Sequence, residues 1–231
     1  MKKFVVMLAL APAFLAVLSK PAEAADECRG LMTCIPVAGP WVVIPPSGSP
    51  PAASWRLRCP EGVVGGLDAR LSERAVRVEF SGLIGSPVNP GITTANAAVF
   101  AGIYAGVARR PTSFKPYIGC IPGGGGQRTP TAYTAAKPVR PGRPITMRVR
   151  TLRLSSNSLA RGTLSCREDE RLLRAAHAVG IGTRGPPTIA QLAAVRVVRS
   201  TSGGRVLVSA TRGVLAAGIT AVVQVRAECA R

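Results

Sequence analysis

One histidine, 4% aromatic residues and only 11 carboxylates in 231 residues set the first limits on this chain. A lone His177 cannot supply the imidazole cluster of a transition-metal site. A Ser–His–acid site would have to use that one residue. So few aromatics disfavour recognition of single-stranded nucleic acid by base stacking. No close C-x-x-C pair occurs, which removes zinc-ribbon and thioredoxin-like motifs. No Walker loop, dinucleotide fingerprint or nucleophile elbow is found. Gly123–Gly126 is glycine-rich but lacks the Lys-Ser/Thr that follows a phosphate loop. No catalytic residue, cofactor or metal is therefore assigned.

What the chain does have is positive charge. Thirty Lys and Arg face 11 Asp and Glu, a formal net charge of +19. The N-terminus has a basic start at Lys2 and Lys3, an apolar run from Phe4 to Leu18, and a small-x-small site at Ala22-Glu23-Ala24. This predicts a signal peptide over 1–24, because the apolar run is short of the roughly 20 residues a spanning helix needs. Ala25-Asp26-Glu27 before Cys28 is no lipoprotein box. Cleavage leaves a mature chain of about +17 and no other segment able to span a bilayer. Export implies a secreted or cell-surface protein with oxidised cysteines.

The six cysteines carry the organisation. The stretch Trp55 to Ala69, around Cys59, returns as Gly162 to Cys166 and Leu172 to Ala178, with His177 matched to Asp68. Cys59 and Cys120 are 61 residues apart, Cys166 and Cys229 are 63 apart. Trp55, Leu57 and Cys59 alternate with Arg56 and Arg58; Val223, Val225, Ala227 and Cys229 alternate with Gln224, Arg226 and Glu228. Period two puts each of these cysteines on an inward face. Spacing and parity together predict Cys28–Cys34, Cys59–Cys120 and Cys166–Cys229.

Short alternating runs between Gly/Pro turns read as an all-β chain of two tandem β-sandwich units, immunoglobulin-like or jelly-roll-like. The first unit is 25–120 and the second 145–231, joined by a Gly/Pro-rich linker over 121–144. Trp41–Ile44, bounded by Pro40 and Pro45, is expected at a sheet edge. Gly65-Gly66 suggests a bulge. Ile145, Met147 and Val149 have one parity and Leu152 and Leu154 the other, which predicts a bulge near Arg150-Thr151. Leu172–Val179 is read as a strand from its match to the first unit. Ser202-Gly203-Gly204 is read as a turn.

An early strand bonded to a late one resembles the pin of immunoglobulin-like sandwiches. The pattern departs from that family: Trp55 precedes its cysteine, and Tyr117 lies three residues before Cys120. The Cys59-Pro60-x-Gly62 pattern, Gly65-Gly66 and Gly85–Thr94 also make the chain similar to secreted proteins of high-GC Gram-positive bacteria. That resemblance covers most of the mature chain and implies no activity.

Candidate chemistry is thin. Glu168-Asp169-Glu170 would suit either a hard cation or a polar turn, and the turn is the plainer reading. Asp68 and Glu79 form the least unsuitable carboxylate pair for hydrolysis. Trp41 and Trp55 would suit sugar stacking or, more ordinarily, the core. The strongest signal is arginine on outward faces, at Arg56, Arg58, Arg77, Arg148 and Arg150. Rows of guanidinium groups attract polyanions. The sequence therefore points to a non-enzymatic exported or cell-surface protein that binds anionic envelope polymer or another exported protein. A secreted hydrolase with its site between the units is one alternative, and a protein-binding module is the other. No specific nucleic acid partner is indicated.

Overall fold

The computed structural model describes residues 26–31, 33–46, 52–81, 96–106, 110–122, 145–156 and 158–231. The predicted signal peptide, nearly all of the linker and Gly85–Thr94 lie outside the described residues. The first half contributes β1 (Ile35–Ala38), β2 (Trp41–Ile44), β3 (Ala52–Arg58), β4 (Val63–Leu71), β5 (Val76–Ser81), β6 (Ala97–Tyr104) and β7 (Thr112–Ile121). The second contributes β8 (Ile145–Leu154), β9 (Leu159–Ser165), β10 (Arg171–Gly182), β11 (Val195–Ser202), β12 (Arg205–Arg212) and β13 (Thr220–Ala230). A five-residue helix, α1 (Ile189–Ala193), lies between β10 and β11. The protein is all-β, as alternation such as buried Val206, Val208 and Ala210 against exposed Arg205, Leu207 and Thr211 requires.

The cysteines pair as Cys28–Cys34, Cys59–Cys120 and Cys166–Cys229. The two halves show matching ladders. β7 lies between β2 and β4, and β13 lies between β8 and β10. The outer sheets have matching orders, β3-β6-β5 and β9-β12-β11. Both halves carry a register shift beside the residue that faces the closing cysteine, after Val64 opposite Cys120 and after Leu172 opposite Cys229. Counted from that bulge, His177 corresponds to Ala69 rather than Asp68. Val64 lies five positions after Cys59 and Leu172 six after Cys166, so a match counted from the cysteines slips by one.

The halves share one sheet of order β4-β7-β2-β10-β13-β8, with β1 continuing the line of β2 beside β7. β2 pairs β7 on one side and β10 on the other, where Val42 faces Gly180 and Trp41 faces Ile181. The expected edge position of Trp41–Ile44 is therefore corrected. The prolines end the strand without blocking its central ladder, and all four residues are buried. Since β10 runs antiparallel to β2, the second half is turned over relative to the first. Its outer sheet covers the opposite face of the shared sheet. Val42 and Ile44 accordingly enter the first core, with Trp55, Phe100, Phe114 and Cys120. Val43 enters the second, with Leu152, Val208, Val223 and Cys229.

The bulge expected near Arg150-Thr151 is absent. β8 pairs β13 in unbroken register from Ile145↔Ala230 to Leu154↔Ala221. The change of parity has another cause. At its start Arg148 and Arg150 occupy the positions that Leu152 and Leu154 fill further on, and there they meet Glu170 and the Thr163 carbonyl. Ile145 and Met147 on the opposite face are exposed.

Two contacts tie the layers. The Glu27 carbonyl sits over Gly66 and Gly119, which face each other in register and leave no room for a Cβ. The buried Gln224 side chain crosses from β13 to the free edge of β3. Its Oε1 accepts from the Arg56 N–H at 2.6 Å and its Nε2 donates to the Arg56 carbonyl at 3.0 Å. Gln224→Leu strands both backbone groups and is expected to lower stability by about 1–3 kcal/mol, read as the urea midpoint. An unchanged midpoint would show that water replaces the carboxamide at no cost.

Candidate anion-binding face and cleft

The outer face of β9-β12-β11 is built by strict alternation. Odd residues of β9 and β12 and even residues of β11 point outward, while Leu164, Val206, Val208 and Val197 point to the core. The register sets four rungs: Arg196–Thr211–Leu159, Val198–Ser209–Arg161, Ser200–Leu207–Thr163 and Ser202–Arg205–Ser165. The face holds one arginine in each strand and no carboxylate. With strands about 4.8 Å apart and rises of about 3.3 Å per residue, the three Cα positions lie roughly 12–14 Å from one another along the path Arg196, Arg161, Arg205. Among the described residues, no hydrogen bond or ion pair holds the three guanidinium groups.

The face runs into a cleft of about 750 Å³ beside the Cys166–Cys229 disulfide. Gly203 and Gly204 have φ of 52° and 74°, the left-handed backbone of a two-residue hairpin turn. The turn is held from below by the Cys166 N–H donating to the Gly204 carbonyl at 3.1 Å. Arg167, Arg171 and Arg205 line the cleft together with Thr163, Ser165 and Ser202. Its Glu170 is already engaged: Oε2 accepts from the Arg148 guanidinium at 2.8 Å and from the Arg167 N–H at 2.9 Å. The Arg167 N–H first, and then the Arg148 guanidinium, hold this carboxyl below the usual carboxylate range. Bound in this way, Glu170 cancels Arg148 and leaves the cleft arginines opposed by Glu168.

The acidic run thus behaves as a turn. Glu168 is exposed, Asp169 pairs with Arg231 at 2.8 Å, and Glu170 turns to Arg148. Glu170 also lies beside Cys166 and Cys229, whose sulfurs bond to each other and are not free for a metal. Asp68 and Glu79 are not a pair. Asp68 shares a rung with Tyr117 on the side of the shared sheet away from the first core, whereas Glu79 stands on the outer face of β5. Trp41 and Trp55 are core residues, 2% and 4% exposed.

The arginines singled out in the sequence separate into two groups. Arg148 is committed to Glu170, and Arg150 donates to the Thr163 carbonyl at 2.9 Å, closing the gap between the sheets. Arg56, Arg58 and Arg77 share the outer face of β3-β6-β5 on the opposite side of the molecule. There Arg77 stands two strands and four residues from Arg56, roughly 16 Å by strand spacing, with Glu79 on the rung between them. Arg161, Arg196 and Arg205 were missed. Their parity was readable, but a list of arginines does not show which have internal partners.

The groove between the halves is apolar. Among the described residues, His177 is the only titratable one in its lining, and neither a hydroxyl nor a carboxylate lines it. No protein-family model, curated protein or solved structure matches the chain.

Proposed function

We propose that the mature chain is an exported, non-enzymatic envelope protein that binds phosphate-bearing anionic polymer on the β9-β12-β11 face and in its cleft. The observation that carries this reading is the set of three uncommitted arginines on a twelve-residue face without a carboxylate. Guanidinium forks meet phosphate oxygens bidentately, and the flat face accepts an extended chain. The three disulfides fit an oxidising compartment. Among the described residues no helix is long and apolar enough to cross a membrane. Arg56, Arg58 and Arg77 give the opposite face a weaker, acid-interrupted version of the same surface.

The test is retention of mature protein on isolated cell wall and on anionic liposomes across a salt series. Retention should fall as the Debye length shrinks from about 10 Å at 0.1 M to about 3 Å at 1 M. Replacing Arg161, Arg196 and Arg205 together with Gln should lower low-salt affinity at least ten-fold, and replacing them with Lys should lower it less. Retention indifferent to salt, or equal for the Gln variant and the parent, overturns the reading.

A further inference from the structure

Seven residues, Gly213 to Ile219, join β12 to β13, and none of their side chains is polar. Connections between strands run over the surface and are ordinarily polar. The conformation of this one is specified. Leu215 and Ile219 are half-buried against the second core. The Ile219 N–H donates to the Ala216 carbonyl at 3.2 Å, with Gly218 in the left-handed region at φ 81°. What the turn leaves in water is Val214, 88% exposed, together with Ala216 and Ala217.

The loop stands at the end of the second half remote from the Cys166–Cys229 disulfide. All six strands of that half have an end there: Thr220 pairs Gly182, Ala221 pairs Leu154, Arg212 pairs Val195 and Thr211 pairs Leu159. Arg212 ties their connections together. Its Nη1 donates to the carbonyls of Leu154 and Ile219, each at 3.4 Å, and its Nη2 to Ser156 Oγ at 3.1 Å. The Gly213 N–H donates to the Ala194 carbonyl at 2.8 Å. The segments that meet here, 153–161, 182–196 and 211–222, contain five arginines and no carboxylate. Arg212 is committed, and Arg153, Arg184 and Arg196 stand exposed on the strands and connection that flank the loop.

We propose that this end docks on an anionic lipid surface. Val214, Ala216 and Ala217 enter the boundary between headgroups and acyl chains, and Arg153, Arg184 and Arg196 meet lipid phosphates beside them. Charge complementarity selects this partner. An apolar tip flanked by arginine, with no acid, matches an anionic interface on both counts. A hydrated polymer would leave Val214 in water, and a protein pocket for Val214 would give the arginines no partner. The surface is distinct from the polymer-binding face. The two share only Arg196, on the rung nearest the loop.

Binding of mature protein to vesicles of phosphatidylglycerol mixed with phosphatidylcholine tests this, with phosphatidylcholine alone as the uncharged comparison. The parent should bind the mixed vesicles, lose affinity for them as salt rises, and bind the uncharged vesicles at least ten-fold more weakly. Val214→Asp, at a position too exposed to disturb the fold, should weaken binding to mixed vesicles about ten-fold. Val214→Trp should bind more tightly than the parent, since tryptophan favours the interface. Bromine-labelled acyl chains should quench its added indole, while Trp41 and Trp55, 2% and 4% exposed, stay unquenched. Cell-wall retention should be the same for Val214→Asp and the parent, so the polymer reading and this one fail in separate assays. No binding of the parent to mixed vesicles at low salt overturns the proposal, as does equal affinity of the parent and Val214→Asp. So does Val214→Trp that binds vesicles without quenching, or a parent that binds uncharged vesicles as tightly as mixed ones.

Discussion

Phe114→Ala is expected to cost about 3–5 kcal/mol and to unfold both halves in one transition. Phe114 has no exposed surface, and its ring packs against the Gly102 backbone and Ile44. It also faces Val42 across the β7–β2 ladder. β2 places side chains in both cores and pairs with strands of both halves, so loosening its support weakens the second core as well. Beads joined by a linker would instead unfold separately, each under its own stability. Hydrogen exchange followed by peptide mass analysis in rising urea decides between them. Amides of β7 and β12 should open at the same midpoint, lower than in the parent. Continued protection of β12 after β7 has exchanged would refute the shared-sheet account of cooperativity.

The second large effect is that of the long disulfides. Closing a loop of about 60 residues removes roughly 4 kcal/mol of unfolded-chain entropy in the loop model, against about 2 kcal/mol for the six-residue separation of Cys28–Cys34. Cys166→Ser with Cys229→Ser should therefore lower stability by about 4 kcal/mol, the larger because Cys229 is fully buried. Cys28→Ser with Cys34→Ser should cost about half as much. Urea midpoints of the two double variants give the comparison. A short-ring variant as unstable as the long-loop variant would show that strain or lost packing, not loop closure, sets the order.

The same features explain why some parts of the architecture were legible and others not. Alternation in β12 and β13 identifies strand, inward face and cysteine direction at once, because the side-chain period of a strand is two. The paired spacings of 61 and 63 expose the duplication. The start of β8 misleads by the same rule. Alternation of apolar residues stops where arginines with internal partners take the same positions, as Arg148 and Arg150 do, without any change in backbone. β2 misleads more deeply: a four-residue strand buried on both faces has no alternation to read, and its flanking prolines resemble edge signals.

At the candidate sites the division is similar. The outward parity of Arg205 and Arg161 is a local property. The commitment of Arg148 to Glu170 and of Arg150 to Thr163 depends on where β8 crosses β9. The His177 groove is wholly non-local, since its walls come from β2, β10, β11 and α1.

The sequence by itself determined an all-β chain, the inward faces of its long strands, its duplicated cysteine frame and its excess of positive charge. Each follows from residue type, period or spacing. Only the tertiary structure decided that the second half lies upside down beside the first, sharing its sheet through β2 and β10. It alone showed which arginines have no partner among the described residues and that a groove opens at the junction. A strand's own residues state which face it hides, but its neighbour is chosen by the closure of long loops and the fit of two cores, which no single strand encodes.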